Sequence, residues 1–183
     1  KLVEKGKLIE FKVQGERRLG APERPEGKKN WIVRDQWGHS HTLHPRQVEY
    51  EVGGDPKRPQ EISTFLQEVD PYLDPSSLEV AWELLVEEGE PVTPKDMAEV
   101  LFSEQSPAAC YASYSLLAED KIYFKRKGNN FEPRSPSQVA EIKHQLEVEK
   151  QRNQEKAAFI DRIKRRLTGE AIERENSDRA RFE

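Results

Sequence analysis

The sequence predicts an α+β chain: a small β-barrel, then a compact helical domain closed by a hairpin, then a charged helical tail. Three observations predict it. Short apolar–polar alternations, separated by turns, fill the first fifty or so residues. Three helices with recognisable N-terminal caps follow between Asp74 and Ala118. A basic, aromatic hairpin, Lys121 to Phe131, comes directly after them.

The barrel is read strand by strand. Ile9, Phe11 and Val13 alternate with Glu10 and Lys12, a period of two. Residues 14–18 read as a turn, 19–21 as a second strand, and 25–30 as another turn. Trp31-Ile32-Val33 is a third strand, residues 35–38 turn again, and 39–43 and 48–52 complete the set. Four or five short strands in residues 1–53 predict an SH3-like or OB-like barrel, and the short spacing favours the SH3-like one. Gly53-Gly54-Asp55-Pro56 opens a linker, residues 54–73. Within it Ile62, Phe65, Leu66 and Val69 recur at helical spacing, and Pro71 ends the helix.

Residues 74–134 carry the order helix, helix, helix, hairpin, which is that of a winged helix. Either Ser76 with Glu79 or Asp74 with Pro75 starts the first helix, and Leu78, Ala81, Trp82, Leu85 and Val86 form its apolar stripe. Gly89 closes it, and Pro91-Val92 can add a short strand. Thr93-Pro94-Lys95-Asp96 starts the second helix and Ser106-Pro107 the third. On the third helix Ala108, Ala109, Ala112, Ser115 and Leu116 share one side, with Tyr111 and Tyr114 largely on the other. Gly128-Asn129-Asn130 suits the hairpin turn. Ser135-Pro136-Ser137-Gln138 caps a highly charged segment, residues 135–183, read as one long exposed helix or two with a weak joint.

Charge is distributed unevenly. The net charge is −4, but residues 55–105 hold 13 Asp/Glu against 3 Lys/Arg, whereas residues 1–54 hold 8 against 11. An acidic middle therefore separates two mildly basic pieces, which argues against indiscriminate phosphate binding and leaves room for local contacts. The single cysteine, Cys110, excludes an internal disulfide and makes a cysteine-based zinc site improbable. No apolar run reaches the length of a membrane span, and no signal peptide is visible. The chain starts at Lys1 and ends at Asp178-Arg179-Ala180-Arg181-Phe182-Glu183, and reads as a fragment.

Catalysis has little support: there is no Gly-rich phosphate loop, no GxSxG and no zinc-ligand spacing. His39, His41 and His44 invite a metal reading, but no third ligand or carboxylate is evident, and surface histidines or a phosphate or RNA contact are the better readings. Cys110 has no nearby basic activator and reads as packed. The candidate RNA-binding residues are aromatics beside cations. Around the barrel turns they are Arg17, Arg18, Lys28, Lys29, Arg34 and Trp37; on the wing they are Lys121, Tyr123, Lys125, Arg126, Lys127 and Asn129. A purely structural barrel with solvated cations is the rival reading. Tyr111 and Tyr114 are candidates for contact with a protein partner. The third helix holds no Arg or Lys from Ser106 to Ala118, which disfavours major-groove reading of duplex DNA.

The stretch Phe65-Leu66-Gln67-Glu68-Val69-Asp70-Pro71-Tyr72-Leu73-Asp74-Pro75-Ser76-Ser77-Leu78 resembles the N-terminal region of ribonuclease II/R (RNB) exoribonucleases of the cyanobacterial and chloroplast branch. So do Gln105-Ser106-Pro107-Ala108-Ala109-Cys110-Tyr111-Ala112, Asp120-Lys121-Ile122-Tyr123-Phe124-Lys125 and His41-Thr42-Leu43-His44-Pro45. The resemblance implies processive 3′-to-5′, magnesium-dependent hydrolysis of single-stranded RNA by a domain beyond Glu183. The family's clustered aspartates are absent here, so the resemblance implies a non-catalytic, RNA-guiding region with no cofactor of its own and no activity alone. Tandem cold-shock domains are not recognised. Expected partners are single-stranded RNA and, as the alternative, a helicase, another RNase or the ribosome without direct RNA contact. The expected location is the cytoplasm, or the plastid stroma of a photosynthetic eukaryote, with no membrane association.

Overall fold

The computed structural model describes residues 3–182, with side chains described through residue 174. The side chains of the C-terminal residues 178–183, on which the reading of the chain as a fragment partly rests, lie outside the described set. Residues 1–134 form one compact unit and residues 135–183 a second.

The first unit begins with five strands: β1 (Ile9–Val13), β2 (Glu16–Glu26), β3 (Asn30–Asp35), β4 (Ser40–Leu43) and β5 (Tyr50–Glu51). Their order in the sheet is β4-β3-β2-β1-β5. This is a meander whose last strand returns to the first, after a 3-10 turn at Pro45–Gln47. That order is SH3-like; an OB barrel would be a Greek key. The second strand is far longer than residues 19–21, because a bulge between Pro22 and Arg24 lets the chain carry two prolines and still pair as far as Glu26. Gln14 and Gly15, both at positive φ, make the two-residue β1–β2 turn. Ile9, Phe11, Val33, Leu43 and Val48 form the barrel core, with Val3, Val13 and Trp31 packed against it. Gly20 is required there, since any side chain would run into Val33 and Phe11.

Helix α1 (Ile62–Val69) buries Ile62, Phe65 and Val69 and packs on the third helix of the winged-helix region. The segment expected as a linker is thus partly built into the body. Helices α2 (Ser77–Leu85), α3 (Pro94–Phe102) and α4 (Pro107–Glu119) follow, then the hairpin β6 (Phe124–Lys127) and β7 (Asn130–Pro133). Val92 bridges to Phe131 and adds a third short strand to that hairpin. The caps are those the sequence implies: Thr93 and Asp96 form a reciprocal box, and the Ser106 Oγ accepts from the Ala109 N–H. At the start of α2 it is the Asp74 carboxylate that accepts, from the Ser76 N–H and hydroxyl, while the Ser76 side chain caps no backbone N–H. Trp82, of the α2 apolar stripe, is half-buried and donates its indole N–H to the Arg134 carbonyl at 2.7 Å.

The second unit is helix α5 (Pro136–Phe182), one continuous 47-residue helix capped by Ser135 and Gln138. Phe159, Ile163 and Leu167 are exposed along it.

Candidate nucleic-acid interface

Helix α4 was expected to bury one small-residue face. It is instead buried on nearly every side, including Tyr111 and Tyr114. The reason lies in the barrel. Strand β1 turns Ile9 and Phe11 into the barrel core and Glu10 outward, but outward here means towards α4. Glu10 is fully buried, and its Oε1 accepts from the Tyr111 hydroxyl at 2.7 Å and from the Arg17 Nε at 2.9 Å. Arg17 also donates to the Ser115 Oγ at 2.7 Å and to Glu119 at 2.9 Å. Tyr50 of β5 stacks on Tyr114, with ring centroids 4.4 Å apart.

Tyr111 and Tyr114 therefore join barrel to winged helix and are not open to a partner. Burial is the main cause that raises both phenols above the ordinary tyrosine range, and the Glu10 carboxylate adds to it. Burial works against the charge of Arg17, but the hydrogen bond and charge of Glu10 outweigh it and hold the guanidinium ionised.

The turn from α4 into the wing is set by Asp120, whose carboxylate accepts from the N–H groups of Ile122, Tyr123 and Phe124. Arg126 donates to the Glu49 carbonyl at 3.0 Å and the Tyr114 hydroxyl at 3.2 Å, and pairs with the Glu49 carboxylate at 3.3 Å. It lies 5.4 Å from the centre of the Tyr114 ring, and Arg17 lies 5.5 Å from the same ring. The two basic segments of the sequence meet there, but those two arginines are spent on the joint. Tyr123 is buried as well.

Other cations remain available. Lys121, Lys125 and Lys127 are exposed on or beside the wing, with Lys127 bonded to Glu132 at 2.7 Å. Asn129 is exposed in the wing turn, where Gly128 supplies positive φ. Asn129 and Asn130 line a cleft of ≈ 450 Å³ with Glu49, Tyr50 and Arg126. Arg18, next to Arg17 in β2, pairs with the Asp35 carboxylate at 3.5 Å and with Glu16 at 3.7 Å, and its guanidinium lies 5.1 Å from the ring centre of Trp37, which is 61% exposed. That turn is organised by the buried Asp35, which accepts from the N–H groups of Trp37 and His39 at 2.9 Å and contacts His41 Nε2 at 2.8 Å. Burial opposes the Asp35 charge, yet these bonds win and hold its carboxyl below the ordinary range.

Lys28 and Lys29 are exposed in the β2–β3 turn, at the opposite end of β3 from Trp37. The length of that strand puts roughly 20 Å between the two turns. Arg34 is bound to Glu23 at 2.6 Å on the strand between them. Reading the sequence missed a second basic groove, ≈ 880 Å³, lined among others by Lys5, Arg24, Lys57 and Arg58. Its cations come from segments distant in sequence, and two of them sit in the acidic block. Glu10, Asp35 and Tyr50 were also missed as organising residues.

The histidines are otherwise engaged. His41 holds Asp35, and the His44 Nδ1 accepts from the Arg46 N–H. Among the described residues no group of three or more His, Cys, Asp or Glu gathers as a metal site. Burial pushes the Cys110 thiol up, away from nucleophilic character. No helix among the described residues is long and apolar enough to cross a membrane.

Barrel, winged helix and long helix together define a set of domains. Residues 3–62 match the family model described as "CSD-like barrel domain", residues 64–138 "Ribonuclease II, winged helix domain", and residues 139–183 "Double HTH domain". The chain belongs to the ribonuclease II family and carries its N-terminal domains. It is 60% identical over 181 residues to a Synechocystis protein named uncharacterized ribonuclease sll1290, covering 99% of this chain and 27% of that relative. It is 37% identical over 169 residues to "Ribonuclease II, chloroplastic/mitochondrial" of Arabidopsis thaliana, covering 88% of this chain and 21% of that protein. The chain thus spans about a quarter of the length of these relatives. No solved structure matches it significantly. The barrel that lacked a recognisable cold-shock motif falls to a model named for that likeness, although its strand order here is the SH3-like meander.

Proposed function

We propose that this chain holds single-stranded RNA and guides it to a 3′-to-5′ exoribonuclease domain of the same polypeptide, where magnesium-dependent hydrolysis takes place. The observation that carries this reading is Trp37, exposed on a turn and overlain by the Arg18 guanidinium. An aromatic face beside a fixed cation suits an unpaired base with its phosphate. Burial of α4 favours the single strand over the duplex, because a winged helix that reads a duplex lays its third helix in the groove, and here the barrel covers that helix. The exposed wing lysines Lys121, Lys125 and Lys127 offer further cations to a phosphate backbone. The cyanobacterial and plant-organelle relatives support a site of action in the cytoplasm or plastid stroma.

The test is a titration of a fluorescent single-stranded RNA and of the duplex of the same sequence at low and moderate salt. Tighter binding of the single strand, weakened by salt, is the expected result. Equal or tighter binding of the duplex, or no RNA binding at low salt, overturns the reading.

A further inference from the structure

The α2–α3 face of the winged helix presents a different chemistry. Val80 and Leu84, one turn apart on α2, are 58% and 67% exposed. With Val100 and Leu101 of α3 and with Ala81 they line a groove of ≈ 290 Å³ between the two helices. Single exposed apolar residues are ordinary, but several lining one groove mark a docking surface.

Its charge states what docks. Residues 74–104 contain nine Asp or Glu and a single Lys. Asp74 lines the groove itself. Glu83 lies within about 60° of Val80 on α2, and Asp96 within about 40° of Val100 on α3, by helical rotation. Both are exposed. A polyanion such as RNA is repelled from this face.

We infer that the α2–α3 groove is a docking site for a basic amphipathic helix of another protein, its apolar side chains on Val80, Leu84 and Val100 and its Lys or Arg residues on the acidic rim. The shape fits: α2 is nine residues long, about 13 Å, which accommodates roughly two turns of a partner helix. Helix-in-groove recognition uses apolar anchors at i, i+3, i+4 and i+7, and opposite charge around such a groove sets orientation and speeds encounter. The inference goes beyond the RNA reading and does not depend on it.

The probe is a synthetic 18-residue peptide of Leu and Lys at helical spacing, titrated calorimetrically into the 183-residue chain. A scrambled peptide of the same composition and a Leu/Glu counterpart are the controls. The helical Lys peptide binds, the scrambled one binds at least tenfold more weakly, and the Leu/Glu one does not bind. Leu84→Ser and Val80→Ser each weaken binding about tenfold while leaving the thermal transition and RNA affinity in place, because both side chains are exposed. Equal binding of the scrambled peptide, or serine variants that bind as the parent does, overturns the proposal. A dimer in sedimentation equilibrium that Leu84→Ser dissociates gives the groove to a second copy and overturns it too.

Discussion

The Tyr111 hydroxyl donates to the Glu10 carboxylate at 2.7 Å, a buried bond between residues 101 positions apart that ties the barrel to the winged helix. A fully buried carboxylate stands only while its donors are in place. Tyr111→Phe removes one donor and is expected to lower the unfolding free energy by about 1–3 kcal/mol. Glu10→Ala takes the buried acceptor from both Tyr111 and Arg17, leaving Arg17 with Ser115 and Glu119, and is expected to cost more, about 3–5 kcal/mol. Urea unfolding followed by tryptophan fluorescence reads both. Unchanged midpoints would show that barrel and winged helix do not stabilise one another through this bond.

Asp35 predicts a pH dependence. Its folded carboxyl titrates below the ordinary range, so its bonds contribute stability that is fully present above the unfolded value, about pH 4. That contribution is lost as pH falls through the lower, folded value. Asp35→Asn should be less stable near neutrality and should show a shallower loss of stability below about pH 4. Parallel stability–pH curves for the two proteins would remove Asp35 from this role.

Most of the fold was legible in the sequence because its signals are local. The Thr93-Pro94-Lys95-Asp96 cap, the alternation of Ile9 with Phe11 and the wing glycine act within a few residues of themselves. The joint was not legible. Glu10 reads as an outward polar position on an alternating strand, and only the placement of α4 over β1 buries it. The same packing turned Arg17, Arg126, Tyr111 and Tyr114 from candidate binding residues into internal ones. The candidate site was therefore legible as a set of charges but not as a surface, since partners 77 and 98 positions away decide which cations are free.

Trp37 separates binding from folding. Its ring is mostly exposed, so Trp37→Ala should leave the thermal transition within about 0.5 kcal/mol of the parent. Loss of a stacked base should weaken single-stranded RNA binding by about 1–3 kcal/mol, a factor of roughly five to a hundred and fifty. Trp37→Phe should restore much of it. RNA affinity that ignores both substitutions would take the turn out of the interface.

The wing gives the most direct measurement. Arg126 is unsuitable, because its loss would disturb Glu49 and Tyr114. The lysines are better probes, since all three are exposed and the Lys127–Glu132 bond is a surface ion pair worth about 1 kcal/mol or less: a Lys121→Ala, Lys125→Ala, Lys127→Ala protein should fold nearly as the parent does. Single-stranded RNA binding measured by anisotropy across a salt series gives the number of phosphate contacts from the slope of log K against log salt, about 0.7 per contact. The RNA-guiding account predicts weaker binding and a slope reduced in magnitude by about 2 in the triple variant. An affinity and a slope identical to the parent's would contradict it.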